Sequence, residues 1–183
     1  MIAFDSEDDS GAGDVGVLEL DRDRKPRPFA ATRYVESSPK FSPDGRWIAY
    51  NSNESGRNEI YAQAYPGPGP KLQISIGGGT DPVWAGNGKE MFYRNGDNMM
   101  AVEVRLQPSL MPGKPRVLWT GRYARGLSSG NGNPTNSNYD VTPDGQRFLM
   151  IQEDEDGLTA TQIHVLPNWS AGLKGQLQQE HAH

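Results

Sequence analysis

Cysteine is absent from this 183-residue chain, which excludes disulfides and thiolate metal sites and leaves the redox compartment open. Histidine is almost as scarce, at three residues. His181 and His183 lie in a polar tail, and His164 alternates with Ile163 and Val165 in a strand-like run, where a lone imidazole reads as hydrogen-bonded structure rather than as ligand or base. Apolar residues make up only 34% of the chain, and no run approaches the length of a membrane span. The opening Met1-Ile2-Ala3-Phe4-Asp5 carries neither the basic start nor the apolar stretch of a secretory signal. Positive charge is short too: the net charge is −5, and the one basic cluster, residues 22–27, is interleaved with Asp21 and Asp23, which argues against a nucleic-acid surface. Such polarity raises the prospect of disorder. Four Trp, seven Tyr and five Phe, set inside regular alternating segments, argue against it.

What the chain does have is turn residues, 22 Gly and 14 Pro, as all-β proteins with many short strands do. It also repeats itself. The phrase Pro39-Lys40-Phe41-Ser42-Pro43-Asp44-Gly45-Arg46-Trp47-Ile48-Ala49-Tyr50 returns loosely as Pro82-Val83-Trp84-Ala85-Gly86-Asn87-Gly88-Lys89-Glu90-Met91-Phe92-Tyr93, and again over residues 138–150. Each copy reads as strand, tight turn, strand. Pro43 presets φ for the turn, Asp44 accepts from nearby backbone amides, and Gly45 takes positive φ; Asn87 and Gly88, and then Pro143, Asp144 and Gly145, inherit these roles. Repetition at this scale implies a stacked or radial array.

Alternation bounded by turn residues gives four strands per repeat, a to d. The second repeat offers residues 39–42, 47–52, 59–64 and 71–76, and the third residues 82–85, 90–94, 99–105 and 116–121. The first repeat supplies b, c and d without a, and the last a, b and c without d. The first interval fits the roughly 40–45 residues of a propeller blade, and the second is longer, with an insertion split between residues 106–115 and 122–137. Trp47 and Ala49 point opposite to Ile48 and Tyr50, so strand b is apolar on both faces and needs a neighbour on each.

The fold expected is therefore an all-β partial propeller of about four blades of four-stranded antiparallel sheet, with incomplete terminal blades. One array spans residues 1–169, in blades of residues 1–34, 35–78, 79–121 and 138–169 with a long loop at 122–137, and a polar tail fills residues 170–183. The Phe-Ser-Pro-Asp-Gly turn and the strand after it resemble the TolB-type, WD-like β-propeller repeats, closely at Phe41 to Tyr50, well at Val141 to Met150 and in degraded form at Val83 to Tyr93. That resemblance implies a fold shared by periplasmic assembly factors, gating domains of serine peptidases and sensor domains behind bacterial serine/threonine kinases. The ending Gln162-Ile163-His164-Val165-Leu166-Pro167-Asn168-Trp169 is similar to the last strand of the kinase-associated members, whereas the start looks cut in mid-blade. It allows a periplasmic or extracytoplasmic location.

Unfinished blades at both ends leave open apolar faces and strand edges, which drive association. A head-to-tail homodimer or higher oligomer, closing a ring, is the expectation. For chemistry the residues give little. Gly11-Ala12-Gly13-Asp14-Val15-Gly16, with Glu36 twenty residues on, matches a dinucleotide pattern, but a strand-like segment follows where a helix is needed. Gly126-Leu127-Ser128-Ser129-Gly130 matches a nucleophile elbow without the helix that would brace it. Asp154 and Asp156, with Asp8 and Asp9 in the equivalent loop of the first blade, suggest a weak calcium site, although Ile163 falls where a bidentate glutamate belongs. No other cofactor is expected. Arg94, Asp97, Asn131, Asn133 and Asn136 stand on the b–c and d–a loops, which share one face, and are the candidates for binding a peptide or carbohydrate. The expectation is a non-catalytic binding module, with a propeller hydrolase or lyase as the alternative.

Overall fold

The computed structural model describes residues 1–7, 13–21, 24–67, 69–124, 137–152 and 162–167, with backbone alone at Glu7, Gln152 and residues 162–167. It is all-β. Fifteen strands among these residues form four antiparallel sheets. The first holds β1 (Ile2–Glu7), β2 (Gly13–Leu18) and β3 (Arg27–Ala30); the second β4 (Glu36–Phe41), β5 (Trp47–Ser52), β6 (Glu59–Ala64) and β7 (Lys71–Gln73). The third holds β8 (Thr80–Trp84), β9 (Glu90–Asn95), β10 (Asn98–Arg105), β11 (Met111–Pro112) and β12 (Arg116–Thr120); the fourth β13 (Tyr139–Val141), β14 (Arg147–Gln152) and β15 (Gln162–Pro167).

Three apolar clusters lie between consecutive sheets. Val15, Val17 and Ala30 of the first sheet meet Ile48 and Tyr50 of the second. Trp47, Ala49 and Ile60 of the second meet Met91, Tyr93 and Met100 of the third. Phe92, Met99 and Ala101 of the third meet Phe148, Met150 and Tyr139 of the fourth. Every residue of β5 is buried, because its two faces serve two different clusters. This is propeller packing, in which a blade is covered by the blades beside it.

The a–b turns repeat one hydrogen-bond scheme. Ser42 Oγ donates to Asp44 Oδ1 at 2.7 Å and accepts from Trp47 N at 3.0 Å, while Asp44 Oδ1 takes Arg46 N at 3.2 Å and Gly45 sits at φ 70°. Thr142, Asp144, Gln146 and Gly145 repeat it. In the middle copy Asn87 Oδ1 takes Lys89 N at 2.9 Å, and Asn87 also reaches the next turn, its N–H meeting Pro143 O at 3.0 Å and its Nδ2 meeting Asp144 O at 3.3 Å. Glycine stands at position 86, where the other copies have proline, because a Cβ there would come within 2.9 Å of Pro143.

Three features depart from the sequence reading, the first being that strand d of the second repeat, read as residues 71–76, ends at Gln73. Residues 106–115 form a hairpin rather than a plain loop: β11 pairs with Val104 and Arg105, and Leu110 is buried in the cluster between the second and third sheets. A two-residue ladder is too short to show a period of two. Strand a also begins earlier than residues 39 and 82 in the second and third sheets, because it crosses a bulge. Ser38 and Asp81 occupy equivalent left-handed positions (φ 55° and 59°), each followed by a proline, with register shifts between Ser37 and Lys40 and between Thr80 and Val83. Proline cannot donate to a ladder, and a bulge on an edge strand accommodates it.

Candidate functional site

Among the described residues four charged side chains are buried: Glu36, Glu59, Asp81 and Arg94. All lie at the end of the sheets opposite the a–b turns, where the b–c and d–a connections emerge. Three of them do the same work. Glu36, at the start of β4, accepts Thr32 Oγ1 at 2.7 Å, Thr32 N at 3.3 Å and Ser52 Oγ at 3.2 Å, which ties down the connection from β3 to β4. Glu59, at the start of β6, accepts the Ser75 hydroxyl and Gly78 N, the latter at 2.9 Å, which ties down the connection from β7 to β8. Arg94, near the end of β9, donates to Ala124 O at 2.8 Å and Tyr123 O at 3.1 Å, at the root of the connection from β12 to β13. Burying a charge is costly, and charge-assisted bonds to backbone and hydroxyl groups offset it. Each of the three d–a connections is thus rooted by one buried charge, drawn from strand a, strand c and strand b in turn.

A second set of bonds at this end starts within the second sheet and crosses to the third and fourth. Asn51 Nδ2 donates to Ser37 Oγ at 3.3 Å, Asn51 Oδ1 accepts Asp81 N at 3.2 Å, and Tyr139 Oη donates to Asp81 O at 2.7 Å. The tyrosines here resist ionisation. Burial, then the charge of Asp81, raises Tyr139 well above the usual phenol range. Burial and Glu36 raise Tyr50, and burial and Glu59 push Tyr93 up to about 12. An unfolded tyrosine ionises near pH 10, so the stability these groups hold is complete below pH ~10 and is lost as pH climbs toward the folded values. Phenolate absorbance and circular dichroism followed together should show these three of the seven tyrosines ionising only as the sheets unfold. Ionisation of all seven near pH 10 with the sheet signal intact would contradict the arrangement.

Arg94 and Asp97 come together at the third connection. Asp97 sits in the β9–β10 turn and its carbonyl accepts Gly121 N at 2.9 Å. Arg94 reaches its two carbonyl partners from a buried position. Asn131, Asn133 and Asn136 lie outside the described residues, as do Ser128 and the calcium candidates Asp8, Asp9, Asp154 and Asp156. Among the described residues no group of three or more His, Asp or Glu side chains is placed to hold a metal. Pro43, Asp44, Gly45, Asn87, Gly88, Pro143, Asp144 and Gly145 all sit at the far end, in the turns already described. Sequence reasoning missed Glu36, Glu59, Asp81 and Asn51. The available signal was a charged or amide residue at the tip of a strand otherwise destined for burial.

The a–b end carries a groove of about 690 Å³ beside the β11 hairpin, bordered by Lys89, Glu90, Glu103, Arg105, Met111 and Gln146. Its Glu90 is held by Arg116 at 2.7 Å. No helix among the described residues is long and apolar enough to cross a membrane.

No protein-family model matches the sequence. Among solved structures, the chain is similar to a protein described as a TolB from Agrobacterium tumefaciens (14% identity, TM-score 0.60, covering 91% of this chain and 57% of that one). It is also similar to a chain of a nidogen/laminin complex (12%, TM-score 0.56, 89% and 59%). A third is an oligogalacturonate lyase from Vibrio parahaemolyticus (14%, TM-score 0.51, 80% and 38%). At these identities the likeness establishes the β-propeller fold. The chain spans between 38% and 59% of the length of these three structures.

Proposed function

We propose that this chain is a non-catalytic binding or assembly module that presents its b–c and d–a connections to a partner and completes its ring by self-association. The observation that carries the binding reading is the rooting of all three d–a connections by Glu36, Glu59 and Arg94. The charges that an active centre would direct at a substrate are here committed to holding backbone, and loops held at their roots lose little entropy when they bind. Self-association is supported by the outer faces of the first and fourth sheets, where Ile2 is 46% and Leu149 44% exposed. The likeness to an oligogalacturonate lyase makes turnover the competing outcome.

The test is a pair of measurements on the purified chain. Light scattering at micromolar concentration should give a mass well above 20.1 kDa, reduced by Leu149→Asp. Incubation with oligogalacturonate, with and without manganese, should give no product. A monomer mass removes the self-association half. Turnover that survives purification and falls with a single substitution near the ring axis removes the non-catalytic half.

A further inference from the structure

The first strand carries the sequence of a strand whose packing is complete. Ile2-Ala3-Phe4-Asp5-Ser6 of β1 repeats Ile48-Ala49-Tyr50-Asn51-Ser52 of β5 almost residue for residue. In β5, Ile48 and Tyr50 lie on the face that the preceding sheet covers with Val15, Val17 and Ala30. Their counterparts Ile2 and Phe4 lie on the matching face of the first sheet. Val15 and Val17 pair with Asp5 and Ala3 on one side, and Ile2 and Phe4 pair with Leu18 and Gly16 on the other. The Phe4 ring rests on Gly16, where a Cβ would come within 2.6 Å of it, so this face presents an isoleucine, a leucine and a seated aromatic ring.

Aligned on the a–b turns, the equivalents of Ile2 are Ile48, Met91 and Phe148, and all three are fully buried by the sheet before them. The equivalents of Leu149 are Ala49 and Phe92, which are fully buried by the sheet after them. Ile2 and Leu149 are the exceptions, at 46% and 44% exposed. Every covered interface joins the two kinds of face, never two of one kind. Its central contact is shown where Phe92 meets Phe148 edge-on at 4.8 Å, and these are the equivalents of Leu149 and Ile2.

We propose that the first sheet of one copy packs on the fourth sheet of a second copy as consecutive sheets pack within the chain, with Ile2 of one against Leu149 of the other. This rests on the self-association reading above and fixes its geometry. The contact joins unlike faces, so it is heterologous, and each copy keeps one face of each kind for the next contact or for closure. Loss of the Ile2 side chain from such an interface accounts for roughly tenfold to a hundredfold in affinity.

The experiment uses the absence of cysteine, which makes single-cysteine variants unambiguous. Ile2→Cys and Leu149→Cys, both at exposed positions that the fold of one copy does not need, are treated with a short thiol-to-thiol cross-linker separately and mixed. Two-copy product should form in the mixture and not in either variant alone. Ile2→Asp and Leu149→Asp give a second readout by light scattering. Each alone should associate at least about tenfold more weakly than wild type, and their mixture should recover a two-copy mass through the one intact pair of faces. Cross-links within a single variant, or a mixture that recovers nothing while the wild type exceeds 20.1 kDa, overturn the head-to-tail pairing and leave self-association standing. A single-copy mass for the wild type overturns both.

Discussion

Phe148→Ala is expected to lower the unfolding free energy by about 3–5 kcal/mol, the usual range for truncating a fully buried phenylalanine. Phe148 has no exposed surface and is the meeting point of the aromatic cluster between the third and fourth sheets. Its ring meets Phe92 and Trp119 edge-on at 4.8 Å each and stacks with Tyr139 at 6.5 Å. Truncation opens a cavity and forfeits these aromatic contacts together. The loss should also be local. In a repeat array each unit is stabilised by its neighbours, and the fourth sheet has one neighbour among the described residues. Urea unfolding followed by tryptophan fluorescence and far-ultraviolet circular dichroism should therefore show an early transition for the fourth sheet, ahead of the rest. A loss below ~1 kcal/mol, or one unbroken transition at the wild-type midpoint, would mean that Phe148 is not the link between these blades.

The second large effect is expected from Arg94→Met, which keeps the length of the side chain and removes its charge and its fork. Tyr123 O and Ala124 O lose their donors where solvent can replace them poorly, at a cost of about 2–4 kcal/mol. Arg94→Lys should recover only part, because a point donor cannot serve two carbonyls in the fixed geometry of a guanidinium. A spectroscopic sign accompanies the stability loss. Tyr139, buried beside Asp81, ionises only as the sheets unfold, so in the less stable variant its phenolate signal should appear at lower pH, together with the loss of the sheet signal. Amide exchange at Ala124, whose N–H donates to Ile151 O at 2.8 Å, reports whether the root has opened. Wild-type stability together with wild-type protection at Ala124 would show that the guanidinium is dispensable.

How far the sequence disclosed this molecule depended on the range of the interaction. The turns were legible because their chemistry is local: serine or threonine, proline, aspartate and glycine within four residues specify the whole hydrogen-bond scheme. The strands β5 and β6 were legible to the residue, since turn residues bound both and their apolar side chains fall on both faces. Strand a was harder, because a bulge at Ser38 and Asp81 breaks the alternation that would mark its start. β11 escaped because its ladder is two residues long. The roots of the connections were invisible for a different reason. Glu59 looks like any charged residue at a strand end until Ser75 and Gly78 are folded over it, and the bonds of Arg94 to the carbonyls of Tyr123 and Ala124 form only when residues 29–30 positions away are brought to it. Apart from the Thr32 bonds to Glu36, residues far apart along the chain assemble these roots, and no short motif records them.

The rooting has a consequence for how the chain can change. A connection whose entry is fixed by one buried ion transmits little of its own composition to the sheets beneath, and closing a longer loop from a fixed root adds cost only logarithmically with length. The third connection, from Gly121 to Asn138, is already far longer than the other two on the same kind of foundation. The span of the third connection between Ala124 and Ser137 is therefore a writable cassette, where an evolving lineage or an engineer can exchange sequence without renegotiating the core.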